Sequence, residues 1–492
     1  MGPIEDEFGL EQGGVNSGNY YKLYNNDLLS STQLSEQGVK LDKTSVISSI
    51  GLADDAALVA NSLACLANIL DIALDYCKKF EVSLCADKTK LLRIADSQSK
   101  QNLDVYNPIK ISGQQIDFSN YAEHVGILRS VDGNLPHLLG RLAAHTRALN
   151  STLSAGAARR HRANPLVGLR IEKMYACPVL MSGLGSLVLL ESEIKILDQH
   201  YKETCQNLQK LLPKTPRSVI YFLAGSLPAR AILHLKQLSL LGMVARLKDD
   251  PLHGHAYSVL TASKPSSRSW FWQLRDICLM YNLPHPLTIL GNPPTAKVYK
   301  KLVRSHVVDY WETKLRQETV TLSSLLFFNP SFMSLACPHP VWRTVGSNPY
   351  EVNKAIQQAR MLSGRYRTEY LQRHWKDNPQ GYCLAPGCSN AVETLQHILL
   401  DCVAYNSNRV RLTRLWLSNE DQIIKNITSE ALSSNRDYQV QFILDCSVLP
   451  SVISASQQYG SNILDKLFYL TRTCCYSIHR TRMKILGRWH LK

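Results

Sequence analysis

Four side chains constrain this chain more than anything else in it: Cys383, Cys388, His397 and Cys402, separated by four, eight and four residues in YCLAPGCSNAVETLQHILLDC. Three soft thiolates and one imidazole in this order make a closed tetrahedral Zn²⁺ site. Such a site fixes a short segment that could not bury a core of its own. Pro386-Gly387 turns the first pair, and a helix from Val392 is expected to set His397 and Cys402 on one side. Those two lie five residues apart, so the helix must end or bend between them. Two roles stay open: a nucleic-acid-contacting knuckle, or a structural staple between helical segments.

With 492 residues the chain exceeds one ordinary core, and several domains are expected. Lys and Arg number 55 against 40 Asp and Glu, a net charge of +15. A polyanionic partner follows, and RNA or DNA fits better than a membrane because no long basic amphipathic anchor stands out. The 13 cysteines are odd in number and lie mostly in apolar runs, which argues for reduced thiols rather than a disulfide framework. Met1 to Gln12 is acidic, unlike a signal peptide, so an intracellular location, nuclear or cytoplasmic, is expected. The most apolar stretch, Ala176 to Leu190, is broken by Pro178 and glycines and is too short to span a bilayer.

A second patterned region runs from Ile47 to Lys90. Apolar residues precede Asp54-Asp55 (Val46, Ile47, Ile50, Leu52) and follow it (Ala56, Leu58, Val59), which predicts two short strands meeting at a carboxylate-bearing turn. From Leu63 the apolar positions fall at helical spacing, with a cap at Asn61 or Ser62. A short strand, Val82 to Cys85, and the basic Lys88-Thr89-Lys90 are expected next. Paired carboxylates at a sheet edge suit hard cations such as Mg²⁺. Upstream, Gln12-Gly13-Gly14-Val15-Asn16-Ser17 reads as a glycine loop with Asn16 or Ser17 capping a helix over Tyr20 to Leu29.

The order of these pieces, Gln12-Gly13…Ser17, then Leu52-Ala53-Asp54-Asp55, a helix, Lys88-Thr89-Lys90, and a distant Cys-Cys-His-Cys knuckle, resembles the reverse transcriptases of non-LTR (LINE-type) retrotransposons. The resemblance covers roughly residues 1 to 130 and 360 to 410. It implies an α+β chain: a partial palm, then a mostly helical thumb and connection region, then a small zinc knuckle. It implies RNA-directed DNA synthesis with two Mg²⁺ ions in an intact relative. Asp54 and Asp55 would bind metal, Lys88 would serve the leaving pyrophosphate, and Gln12, Gly13 and Ser17 would lie against nucleotide and template. Leu52 stands where an aromatic residue is usual, and Cys85 where asparagine is usual. In that family a further metal-binding Asp strand and the fingers precede the Gln-Gly turn. Asp54 and Asp55 alone supply too few carboxylates for two metals, so the chain by itself is expected not to polymerise.

The remaining sequence adds basic surfaces. Ile109 to Phe118 alternates around a Ser112-Gly113 turn, and Tyr121 to Leu128 reads as a hairpin, similar in the family to the segment supporting the primer end. A helix over Leu135 to Leu153 leads to Arg159, Arg160 and Arg162, where a thumb would touch phosphates. Packed helices are expected over residues 165 to 245, and a linker over Thr261 to Ser269. Trp270, Phe271, Trp272 and Tyr281 read as core. Arg365 and Arg367 before the knuckle, and Arg480, Arg482 and Lys484 in the acid-free stretch from Lys466, are nucleic-acid candidates. The expected layout is palm 1–130, thumb-like 131–245, connection 246–360, arginine helix and knuckle 361–410, and basic helical end 411–492. Two rivals remain: a domesticated RNA- or DNA-binding scaffold with a structural zinc, and a polymerase whose upstream half arrives on another chain. Oligomeric state is not legible.

Overall fold

The computed structural model describes residues 16–40, 46–52, 55–94, 109–155, 163–261, 269–375, 378–388, 390–460 and 462–487. It is mostly helical, with described strands in five two-stranded ladders, compatible with the expected α+β class. Two compact units result. One comprises Met1–Arg141, Ser182–Glu193 and Lys236–Lys300; the other comprises Leu142–Met181, Ile194–Leu235 and Lys301–Lys492. This division interleaves the segments laid out from the sequence.

In the first unit the expected hairpin is present. Ser49–Leu52 pairs antiparallel with Asp55–Leu58, with Leu52 opposite Asp55. The helix Leu63–Lys79 starts at Ser62, whose hydroxyl accepts from the Cys65 amide at 3.2 Å. It buries Ile69, Leu70, Ala73, Tyr76 and Cys77 along one stripe. Leu70 joins Leu91, Ile109, Ile111 and Ile116 in a small core, with Leu58, Leu66 and Leu84 packed against it. The expected strand at Val82 to Cys85 does not form. Glu81 turns left-handed (φ 54°), and Cys85 accepts from the amides of Lys88 and Thr89, so the chain spends its hydrogen bonds on a turn. Both later hairpins turn on residue pairs with positive φ: Ser112-Gly113 at 51° and 83°, and Val125-Gly126 at 53° and 71°. That is the mirror-image turn matching strand twist. The upstream helix runs Ser17–Leu34, longer than expected, and Asn16 precedes it without a side-chain cap. Phe271, Trp272 and Tyr281 are buried core residues, as read from their spacing. The linker expected over Thr261 to Ser269 falls largely outside the described residues.

The second unit is built of helices. Arg217–Ala224 is buried from Ser218 to Ala224 and stops at Gly225, where φ is +60° and an added side-chain carbon would fall 2.3 Å from the Cys337 backbone. The helix Asn462–Ile485 is the spine of the C-terminal part. It packs against Pro349–Leu362, Asn406–Leu417, Arg436–Leu444 and Pro450–Tyr459, burying Leu467, Phe468, Cys474, Cys475 and Ile478. Among the described residues no single helix is long and apolar enough to cross a membrane.

Candidate metal centre and the basic residues around it

Two local folds deliver the four metal-ligand candidates. Cys388 donates its amide to Ala385 at 3.2 Å across Pro386-Gly387, with Gly387 at φ 80°, the glycine position of a type II turn. Cys383 donates to Ala391 at 2.7 Å, and Tyr382 bridges Val392, so the first pair sits on a small β-knuckle. Val392 is thus in extended backbone, and the expected helix begins only after Thr394, whose hydroxyl accepts from the His397 amide at 3.1 Å. The bend required by the spacing is a π-turn over His397–Asp401, closed by the Cys402 amide on the His397 carbonyl at 2.8 Å. Five residues of α-helix overshoot one turn by about 140°; the wider π-turn brings His397 and Cys402 back onto one side.

All four donor atoms lie within 4.8 Å of one another. Cys388 Sγ stands 3.4 Å from Cys402 Sγ and 3.5 Å from His397 Nε2, and Cys383 Sγ 3.9 Å from Cys402 Sγ. Zn–S and Zn–N bonds arranged tetrahedrally call for roughly 3.8 Å between sulfurs and 3.6 Å from sulfur to nitrogen. The cluster therefore has the size and donor chemistry to hold a metal ion. Burial pushes the Cys383 thiol up to about 12, raises that of Cys402, and lowers His397. Without a cation Cys383 and Cys402 thus keep their thiol protons while burial favours the neutral His397 imidazole; binding a cation releases the thiol protons.

Around the cluster, Arg409 Nη2 donates to the Cys402 carbonyl at 2.6 Å. Glu393, in the middle of the knuckle, is 1% exposed and accepts from Arg482 Nε at 2.9 Å, from Arg482 Nη2 at 2.7 Å and from the Glu369 amide at 2.6 Å. Burial works against the charge on Arg482, but the Glu393 hydrogen bonds, with Tyr366 nearby, hold its pKa above the usual arginine value. Arg482 was expected to meet phosphate; it is instead sealed in the interior, and that expectation is corrected. Glu393 did not stand out in the sequence, and Arg409, read there with Arg411 and Arg414 as part of a basic face beyond the knuckle, instead turns a guanidinium nitrogen onto the knuckle backbone. An acid inside a metal knuckle was the one available signal.

The other expected site residues are dispersed. Arg480 and Lys484 are exposed on the Asn462–Ile485 helix, Arg367 is exposed, and Arg365 is half-buried. Asp55 is exposed at the start of its strand, and Lys88 is exposed in the turn after Cys85. Among the described residues no set of carboxylates gathers around Asp55, so a Mg²⁺ site has no support here. Ser17 opens the first helix. Gln12, Gly13, Asp54, Arg159, Arg160 and Arg162 lie outside the described residues. No protein family matches the chain, and no curated protein is similar to it.

Proposed function

We propose that this chain is a nucleic-acid-binding polypeptide related to non-LTR retrotransposon reverse transcriptases, with its C-terminal part organised by zinc. The observation that carries the reading is the buried set Cys383, Cys388, His397 and Cys402, whose donor atoms fall within 4.8 Å. Four protein ligands leave a tetrahedral ion no open position, so the zinc is structural. The excess of 15 positive charges supports a polyanionic ligand. The order of the glycine turn, the Asp54-Asp55 hairpin and the knuckle supports the kinship. Asp54 and Asp55 are too few carboxylates for two-metal phosphoryl transfer, and the reading assigns no unaided catalysis to this chain.

Metal analysis of the purified chain, combined with RNA binding before and after chelation, tests this. About one zinc per chain is expected, with RNA affinity falling steeply as salt rises and falling again when the metal is stripped. Asp54→Asn should leave RNA affinity nearly unchanged. A metal-free chain that binds RNA equally well, or binding indifferent to salt, would sink the reading.

A further inference from the structure

We propose that the groove walled by the Pro349–Leu362, Asn406–Leu417 and Asn462–Ile485 helices holds single-stranded nucleic acid, with phosphates on its cations and a base on Tyr350. This rests on the nucleic-acid reading above and names its site. The groove encloses about 470 Å³, within the size range of ligand sites. Lys354, Arg411, Arg480 and Lys484 line it, and none of its lining residues is acidic.

The pattern on the spine helix is what folding alone does not account for. Thr473, Tyr476, Ser477, Arg480, Thr481 and Lys484 recur at spacings of three and four, a single helical stripe facing the groove. Such a stripe beside other helices is ordinarily apolar; here it carries hydroxyls and cations. Those hydroxyls are already ordered. Asn408 Nδ2 donates to Ser477 Oγ at 2.7 Å and to Thr481 Oγ1 at 3.1 Å, while Arg411 Nη2 donates to Ser477 Oγ at 3.1 Å. Ser477 thus accepts from two donors, and its own proton is left to point elsewhere, as a phosphate oxygen requires.

At the floor, buried Lys354 reaches Glu351 at 2.8 Å and Thr473 Oγ1 at 3.3 Å. Glu351 also faces Arg472 Nε at 3.3 Å, so one carboxylate answers two cations and the floor stays positive. Tyr350 and Tyr476 meet edge to face at 5.4 Å, and Tyr350 is 49% exposed. Its ring is a platform for an unpaired base, which a duplex does not present. Two of the three walls are tied to the knuckle. Arg409, beside Asn408, holds the Cys402 carbonyl, and Arg482, beside Thr481, holds Glu393.

The test is fluorescence anisotropy of the full chain with a labelled oligouridylate and with a matched duplex. Arg480→Ala/Lys484→Ala removes two exposed groove cations. Lys301→Ala/Arg304→Ala removes two exposed cations from another helix and serves as the control. The groove variant should weaken single-strand binding about tenfold and flatten the salt slope by about 1.4, near 0.7 per lost phosphate contact, while the control changes neither. Tyr350→Ala should weaken the single strand about tenfold and leave the duplex unmoved. Equal losses in groove and control variants, with wild-type binding intact, overturn the groove while leaving the nucleic-acid reading standing. A wild-type chain that binds neither probe overturns both.

Discussion

Arg482 grips Glu393 with two nitrogens, at 2.9 and 2.7 Å, where each side chain is about 1% exposed. The fork-to-carboxylate geometry is the strong form of an ion pair, and the Glu369 amide satisfies the same carboxylate at 2.6 Å. Breaking one partner strands a buried charge, which typically costs about 3 to 5 kcal/mol. Arg482→Ala and Glu393→Ala should each lower unfolding free energy by about that much in urea titrations. The double variant should lose less than the sum of the two. Losses under about 1 kcal/mol for either single variant would mean that the pair contributes little.

On the structural-zinc proposal, removing the metal should loosen the knuckle before the rest of its unit, because the ion would join ligands delivered by two separate local folds, the Pro386-Gly387 turn and the His397–Asp401 π-turn. Cys388→Ser should retain less zinc than the wild type and show new proteolytic cleavage within residues 383–402. Unchanged cleavage after chelation would count against a structural ion.

Acid should destabilise the fold through two histidines, His234 buried and His479 half-buried. Burial, with Arg230 nearby, lowers His234 to about 3; burial, with Arg482 and Arg360 nearby, lowers His479 to about 4. Both folded values lie below the ordinary 6.5, so the unfolded chain binds more protons between. Their contribution is therefore full above pH 6.5 and is lost as pH falls toward 4, by about 1.4 kcal/mol per histidine per pH unit. Denaturant midpoints measured from pH 7.5 downward check this, and His479→Gln should flatten the slope. A midpoint constant across that range refutes it.

Gly225→Ala should cost about 1 to 3 kcal/mol or more. The added carbon would lie 2.3 Å from the backbone of Cys337 and Pro338, with φ at +60°. Neither strain has a flexible side chain to absorb it. Thermal melts of the variant read the loss directly, and a melt matching the wild type would contradict it.

Local patterns in the sequence carried local structure well. Ser62 capped its helix, Ser112-Gly113 made its turn, and the apolar runs around Leu52 and Asp55 made a hairpin. The cysteine and histidine spacing located the cluster that could hold a metal ion, and even required the distortion that proved to be a π-turn. Val82 to Cys85 was misread because apolar content says nothing about Glu81 adopting a left-handed backbone. Arg482 was misread for a different reason. Its neighbours Arg480 and Lys484 are exposed, and a charge run does not reveal that one member finds a buried carboxylate 89 positions away. The groove was illegible because its three walls come from separate stretches of chain.

That same separation of 89 residues has a meaning for biosynthesis. At ribosomal speeds of about 5 to 20 residues per second, Glu393 is made about 4 to 18 seconds before Arg482 exists to neutralise it. For most of that interval, once Cys402 has followed Glu393, the knuckle has its candidate metal ligands but not its counter-charge. It must either stay open or bury a bare carboxylate, so in a newly made chain the buried ion pair closes only once the spine helix has been made.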